Sequence, residues 1–169
     1  MEIDIESLYG ELRRIAARHF RQSGSMLTLQ PTLIVHEAFL RLPAEGWQSK
    51  THFLATASRA MRNVVVDHIR ARTARKRDGG RQRVTLSLAD RPPDAPPLID
   101  VLALEDALNE LEKMDARKAR VVEMRCYGGL EVAEIADVMG IGTATVKRDW
   151  EFARTWLYRE LTRSAHDAG

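Results

Sequence analysis

The sequence contains few residues of the kinds that catalysis, metal binding and disulfide cross-linking require. Cys126 is its only cysteine, so a single chain can form neither an internal disulfide nor a cluster of thiolate metal ligands. The five histidines, at positions 19, 36, 52, 68 and 166, have no ligand spacing, and HEAFL (36–40) has leucine where the HExxH zinc motif has its second histidine. We therefore predict no catalytic residue, no metal site, no cofactor and no enzymatic activity.

Long apolar runs are also lacking, since no stretch approaches the roughly 18 apolar residues that a membrane-spanning helix needs. The first ten residues, MEIDIESLYG, are acidic and have no apolar signal-peptide core. These absences predict a cytoplasmic location and no membrane partner. A lone cysteine in an apolar helical segment, as Cys126 is, is expected to pack in the core.

Charge, by contrast, is abundant and unevenly distributed. Charged residues make up 30% of the chain and hydrophobic residues 44%. Residues 1–91 hold 16 Lys/Arg and 9 Asp/Glu, a net charge of +7, whereas residues 92–169 hold 10 Lys/Arg and 15 Asp/Glu, a net charge of −5. This asymmetry favours two units with different partners, of which the first is suited to a polyanion.

A segment rich in proline and glycine divides the chain. DGGRQRVTLSLADRPPDAPP, residues 78–97, has two adjacent glycines and four prolines within six residues, which is typical of a semi-rigid linker. We therefore predict two small helical domains, at 1–77 and 98–165, joined by this linker. RVTLSL within it is too short to indicate a sheet. Helical periodicity makes the fold class all-α, with helices predicted at 4–21, 31–42, 51–77, 100–113, 116–127, 131–140 and from 143 to about 163.

The most specific local pattern lies at residues 132–157. Ala136, Gly140 and Val146 have helix-turn-helix spacing: a small residue at the helix crossing, a glycine for positive φ in the turn, and an apolar residue on the second helix. An apolar face of that helix is expected in the core, formed by Val146, Trp150, Ala153 and Leu157. Its polar face is richest in cations near the N-terminal end, where Thr143 is a natural N-cap. The alternative is an ordinary helical hairpin with a solvated face.

A second basic element is the predicted helix 51–77, which ends in a run of arginines and one lysine. Its cations favour phosphate contacts. Trp47, Lys50 and His52, predicted in the preceding loop, offer an aromatic ring and cations to unstacked bases. The alternative is a solvated charged face. Asp67 and His68 are expected to form a pair on the helix surface rather than a catalytic dyad.

Three segments together make the chain similar to a known family. TLIVHEAFLRL (32–42), FLATASRAMRNVVVDHIRAR (53–72) and GLEVAEIADVMGIGTATVKRDWEFARTWL (129–157) resemble bacterial extracytoplasmic-function (ECF) sigma factors, the two-domain members of the sigma-70 family. The second segment matches the family's Arg-Asn-x3-Asp-x2-Arg pattern. Departures from the family pattern occur at Leu33, His36-Glu37, Thr56 and Glu131, the last standing where Ser or Thr usually caps a helix.

The resemblance implies a promoter-specificity subunit with three contact surfaces. It implies upstream (minus-thirty-five) DNA contacts at Thr143, Thr145, Lys147, Arg148, Glu151 and Arg154. It implies downstream (minus-ten) contacts, after melting, at Trp47, Lys50, His52, Arg59, Arg62, Asn63 and Arg70. It implies contacts with the polymerase clamp at Leu33, His36, Glu37, Leu40 and Arg41.

The implied partners are core RNA polymerase, through its clamp and flap, and promoter DNA. The resemblance also leaves room for an anti-sigma factor or another regulator, and the free chain is expected to be a monomer. Two other hypotheses stay open: a stand-alone transcription regulator that dimerises through its N-terminal helices, and an enzyme or phosphate-handling helical domain. The basic helix beside an aromatic segment favours the sigma factor over the first, and the lack of a catalytic constellation disfavours the second.

Overall fold

The computed structural model of the chain describes residues 4–21, 31–75, 85–86 and 101–167. These residues form seven helices, which confirms the all-α prediction. The helices are α1 (Ile5–His19), α2 (Pro31–Leu40), α3 (Lys50–Arg75), α4 (Val101–Met114), α5 (Ala116–Cys126), α6 (Val132–Met139) and α7 (Thr143–Asp167).

Local sequence signals explain where several of these helices begin. Pro31 opens α2, where its missing N–H removes no hydrogen bond. Asp115 caps α5, because its side chain accepts a hydrogen bond of 3.1 Å from the backbone N–H of Lys118. At the start of α6, the carboxylate of Glu134 accepts from the backbone N–H of Glu131 at 2.7 Å. Although Glu131 stands where Ser or Thr is usual, the start of α6 therefore still has a capping interaction.

Several predicted helix bounds differ by one or two residues from the structure, and two of the differences concern the residues that cap helices. The cap of α5 is Tyr127, in the right-handed region, and the left-handed residue is Gly129, at φ 63°. Thr143 is the first residue of α7 and not its N-cap, because the backbone N–H of Val146 already donates to the Gly142 carbonyl at 3.1 Å. Each difference shifts the terminal residue by one or two positions and leaves the helices as predicted.

A short antiparallel strand pair accompanies the helices. Strand β1 (Phe20–Arg21) follows α1 directly and pairs with β2 (Thr85–Leu86), with Phe20 opposite Leu86 and Arg21 opposite Thr85. The pairing attaches one point of the predicted linker to the end of α1. The other linker residues, 78–84 and 87–97, lie outside the described part of the chain.

The buried side chains form one continuous apolar cluster that runs through both predicted domains. In the N-terminal part, α1 and α2 pack together and α2 packs on α3. In the C-terminal part, α4, α5 and α7 pack on each other, and α6 packs on α7. Helix α3 also contacts α4, α5 and α6. One side of α3 is buried, including Met61, Val65 and Ile69, and a second side with Ser58 and Arg62 is buried as well.

Candidate nucleic-acid interface

Helices α6 and α7 are joined by a tight turn at residues 140–142. Gly140 has φ 64°, the left-handed conformation that the sequence predicts for it. The backbone N–H of Ile141 donates to the carbonyl of Ala136 at 3.1 Å, which closes the end of α6. Ala136 and Val146 are both buried. Gly140 therefore has the backbone conformation, and Ala136 and Val146 the burial, expected at these three positions.

Helix α7 has two distinct faces. The face predicted to be core is buried, at Val146, Trp150, Ala153 and Leu157. The other side carries the residues that we call the α7 N-terminal face, of which Thr143, Lys147, Arg148 and Glu151 are exposed and Thr145 and Arg154 are half-buried.

Two hydrogen bonds orient the arginines of the α7 N-terminal face. Arg148 Nη2 donates to Thr145 Oγ1 at 3.4 Å, and Arg154 Nη2 donates to Glu151 Oε2 at 2.9 Å. Both partners lie one helical turn before the arginine, so each guanidinium extends toward the N-terminal end of α7. That end therefore presents both donors and acceptors to the solvent.

A buried carboxylate that the sequence reasoning missed fixes α7 against α5. Asp149 is buried and accepts hydrogen bonds from Arg117 Nε at 2.6 Å and from Arg117 Nη2 at 3.1 Å. Lys118 Nζ lies 3.6 Å from the same carboxylate. The hydrogen bond and charge of Asp149 raise the pKa of Arg117 above its ordinary value. A helical wheel places Asp149 next to the core face of α7, and this position could have indicated its burial.

The cations of α3 lie in a different environment from those of α7. Arg62 is only 5% exposed and donates from Nε and Nη2 to Glu105 at 2.8 and 3.2 Å, from Nη1 to Glu123 at 3.0 Å and from Nη2 to Asn109 at 3.1 Å. Burial alone lowers its pKa, but hydrogen bonds and charge from Glu105 and Glu123 outweigh burial and raise it.

Arg59 has the same kind of partners at the rim. Its Nη2 donates to Glu112 at 3.2 Å, and its Nε donates to both oxygens of Glu123 at 3.4 Å. We call the ion pairs of Arg59 and Arg62 with Glu105, Glu112 and Glu123 the α3 junction. A groove of about 650 Å³ runs beside it, and its charged and polar lining includes Arg41, Arg59, Asn63, Glu112, Arg117 and Arg120.

The other residues predicted to contact downstream DNA are spread along α3 and the segment before it. Trp47 is half-buried and packs edge-on against Phe53, with ring centroids 5.0 Å apart. Lys50 and His52 lie in the first turn of α3, not in the loop where they were predicted, because α3 begins at Lys50. Lys50 Nζ pairs with Glu11 of α1 at 2.5 Å. Asn63 and Arg70 are exposed farther along α3.

Three of the residues predicted to contact polymerase share one exposed side of α2, and a fourth, Arg41, follows the end of the helix. Leu33, His36 and Leu40 are exposed, with Leu40 71% accessible. Glu37 instead turns toward α3, where its carboxylate lies 2.9 Å from His68 Nε2.

Asp67 and His68 do not pair with each other, contrary to prediction. Asp67 accepts from Arg41 at 3.2 Å, and His68 has Glu37 as its partner. Successive residues of a helix point in directions about 100° apart, so these two side chains reach different neighbours. Both are structural contacts between α3 and the α2 region.

A comparison with protein families identifies the chain. The model of the family described as "ECF sigma factor" matches residues 4–163, nearly the whole chain. The chain belongs to the ECF sigma factor family. Neither the curated proteins nor the solved structures contain a match to it. As a member of this family, it binds core RNA polymerase and promoter DNA and takes part in promoter-directed transcription initiation.

Three further properties of this ECF sigma factor concern metal ligands, the cysteine and membrane spans. Within the described residues, no group of His, Cys, Asp and Glu side chains is arranged to hold a metal ion. Cys126 is buried, as predicted, and burial raises the pKa of its thiol to about 12. Among the helices that the structure describes, none has the length and apolar character needed to cross a membrane.

Proposed function

We propose that this ECF sigma factor recognises the upstream promoter element through the α7 N-terminal face. The observation that carries the proposal is the two-sided environment of α7: Val146 and Trp150 are buried, whereas Lys147 and Arg148 are exposed beside the turn. A second helix anchored in this way presents its first turns to the major groove. Thr145, Arg148 and Glu151 are suited to base edges, and Thr143 and Lys147 to phosphates.

The downstream element is the second half of the proposed site. We infer that α3 and residues 47–52 bind it as a single strand after melting, with Asn63 and the α3 arginines along the backbone. Trp47 helps to line an apolar groove of about 250 Å³ with Pro43 and Phe53, which offers an apolar wall to an unstacked base. Stacking of bases on aromatic side chains is the common mode of single-strand recognition.

Exposed apolar residues of α2 support docking on the polymerase clamp. Leu33 and Leu40 are 44% and 71% exposed and lie seven residues apart, on the same side as His36. Large apolar side chains grouped on a surface mark protein interfaces. We propose that this side of α2 contacts the clamp and that the C-terminal domain contacts the flap.

A transcription assay tests the proposed function as a whole. Purified chain is added to core RNA polymerase with a library of templates randomised at the upstream and downstream elements, and the transcripts are sequenced. We expect transcripts from selected templates only when the chain is present. Absence of binding to core polymerase at low salt would contradict the proposal.

Paired variants separate the surfaces in the same assay. Leu33→Asp with Leu40→Asp should abolish binding to core polymerase, because two carboxylates would enter an apolar contact. Met114→Asp is the matched control, since Met114 is 60% exposed but is the last residue of α4, away from α2 in the sequence. Loss of core binding by the Met114 variant alone would assign the polymerase contact to a different surface.

A further inference from the structure

The groove beside the α3 junction has a strongly cationic lining. It measures about 650 Å³, and sites for small organic ligands occupy roughly 300–1,000 Å³. One wall comes from α3 and the segment after α2, and the other from the end of α4 and the start of α5. Among the described residues, the charged part of the lining consists of four arginines and one carboxylate: Arg41, Arg59, Arg117, Arg120 and Glu112.

Buried carboxylates hold two of these arginines in place from behind. Arg117 and Arg120 line the groove, whereas Asp149 and Glu123, with which they pair, are only 3% and 1% exposed. The negative charges therefore lie in the protein interior, and the guanidinium groups lie at the surface of the groove. A guanidinium that is already fixed loses less side-chain entropy when it binds an anion.

Some N–H groups of the groove arginines are not used within the protein. Arg117 donates to Asp149 from Nε and Nη2, so its Nη1 has no partner within the described residues. Arg41 donates to Asp67 from Nη1 and Nη2, which leaves its Nε–H without a partner in the same part of the chain. Guanidinium N–H groups that face solvent are typical donors to phosphate oxygens.

The rest of the groove suits the organic part of a ligand. Asn63 is exposed there, and its side-chain amide has no hydrogen-bond partner among the described residues. An amide offers a donor and an acceptor side by side, which matches the edge of a nucleobase. The lining is completed by apolar groups, which belong to Leu42, Pro43, Ala60 and Ala116.

We propose that this groove is a binding site for a nucleoside polyphosphate. The phosphates contact the arginines of both walls, and the base lies against Pro43 within reach of Asn63. Because the ligand contacts both the N-terminal and the C-terminal part, its binding stabilises the folded chain in proportion to its concentration. The proposal does not depend on the proposed function, since it concerns the free chain and needs neither DNA nor polymerase.

Calorimetric titration of the free chain tests the proposal. ATP, ADP, AMP and inorganic tripolyphosphate are titrated separately in buffer without divalent cations. We expect ATP to bind with a dissociation constant below about 1 mM, and the affinity to fall from ATP to ADP to AMP as contacts with guanidinium groups are lost. Tripolyphosphate should bind at least about tenfold more weakly than ATP, because it has no group to place against Pro43 and Asn63.

Two variants locate the binding in the groove. Arg41→Gln removes an exposed guanidinium whose partner Asp67 is exposed as well, so no buried charge loses its partner. Ala116→Trp fills the groove without changing its charge, at an exposed position in the first turn of α5. Each variant should weaken ATP binding at least about tenfold. If one of them does not fold, the other decides.

The matched control for Arg41→Gln is Arg163→Gln. Arg163 is also an exposed arginine with a carboxylate partner, Glu160, but it lies near the end of α7 and outside the groove. We expect its loss to change the affinity for ATP less than about twofold, since it removes only a remote surface charge. Equal weakening by Arg41→Gln and Arg163→Gln would mean that the general positive charge attracts ATP, and the proposal would be wrong.

Two further outcomes would overturn the proposal. One is the absence of any heat of binding with ATP at about 1 mM. The other is tripolyphosphate binding as tightly as ATP, which would exclude the nucleoside part of the ligand. Thermal unfolding gives an independent readout, because ATP should raise the Tm of the wild type and of Arg163→Gln but not that of Ala116→Trp. Equal rises in all three would place the ATP site elsewhere on the chain.

Discussion

The N-terminal end of α7 and the arginine-bearing side of α3 have similar composition but opposite environments. On α7, Lys147 and Arg148 are exposed, and Arg148 donates a hydrogen bond to Thr145 of its own helix. On α3, Arg62 is buried and bonded to Glu105, Glu123 and Asn109 of other helices. The difference shows that the cations of a basic helix are available to DNA only where carboxylates of the same chain do not already pair with them.

The largest expected effect comes from truncating Trp150, the side chain that holds α7 in the core. Trp150 is 5% exposed on the core face, and truncation of a buried tryptophan costs about 3–5 kcal/mol. Trp150→Ala should therefore lower the free energy of unfolding by that amount in a urea titration. Phe152→Ala is the matched control on the same helix, since Phe152 is 49% exposed and its loss should cost less than about 1 kcal/mol. Equal costs would mean that α7 is not anchored through Trp150.

Truncating one arginine on each helix tests whether the two surfaces differ in their availability to DNA. Because Arg148 is exposed, Arg148→Ala should reduce the preference of the free chain for its upstream element by about 1–3 kcal/mol. Arg59→Ala should leave DNA binding by the free chain unchanged, because Arg59 is already engaged by Glu112 and Glu123. Both effects are measured by competition between a duplex that carries the upstream element and a scrambled duplex. Equal weakening on all sequences by Arg148→Ala would make Arg148 a phosphate contact.

The smallest expected effect concerns the start of α5, the helix that carries Glu123. Asp115 caps α5, and the hydrogen bond from the Lys118 side chain is the main cause that lowers the pKa of its carboxyl. Asp115→Ala should lower the free energy of unfolding by about 1 kcal/mol at neutral pH.

The charge of Asp115 can be separated from its capping role with Asp115→Asn, since asparagine also caps helices. Because the folded-state pKa is below the unfolded one, the ionic contribution is present above about pH 4 and is lost as the pH falls through the folded pKa. The difference in unfolding free energy between wild type and Asp115→Asn, about 0.5 kcal/mol at neutral pH, should shrink below about pH 4. A difference independent of pH would exclude the Lys118 pairing as its cause.

Local pattern was sufficient to predict most of the fold and the α7 N-terminal face. Apolar periodicity marked all seven helices, and the turn at Gly140 and the burial of Val146 follow from steric requirements within a few residues. The strand pair of Phe20–Arg21 with Thr85–Leu86 was missed, because two residues carry no periodicity.

The environment of α3 could not be predicted in the same way. Arg62 is separated from Glu105 by 43 residues and from Glu123 by 61, so nothing in the local sequence couples them. In the sequence, Glu105 and Glu123 have the appearance of ordinary solvated acids on amphipathic helices. Their burial results from the packing of α4 and α5 on α3, which is a tertiary contact.

Hydrogen exchange at the arginine side chains tests the contrast between the two surfaces most directly. In nuclear magnetic resonance spectra of the free chain, the Nε–H of Arg62 should exchange slowly, because it is buried and bonded to Glu105 at 2.8 Å. The Nε–H of the exposed Arg148 should exchange rapidly with solvent. Equally rapid exchange at Arg62 and Arg148 in the free chain would contradict the account, because α3 would then be as open as α7.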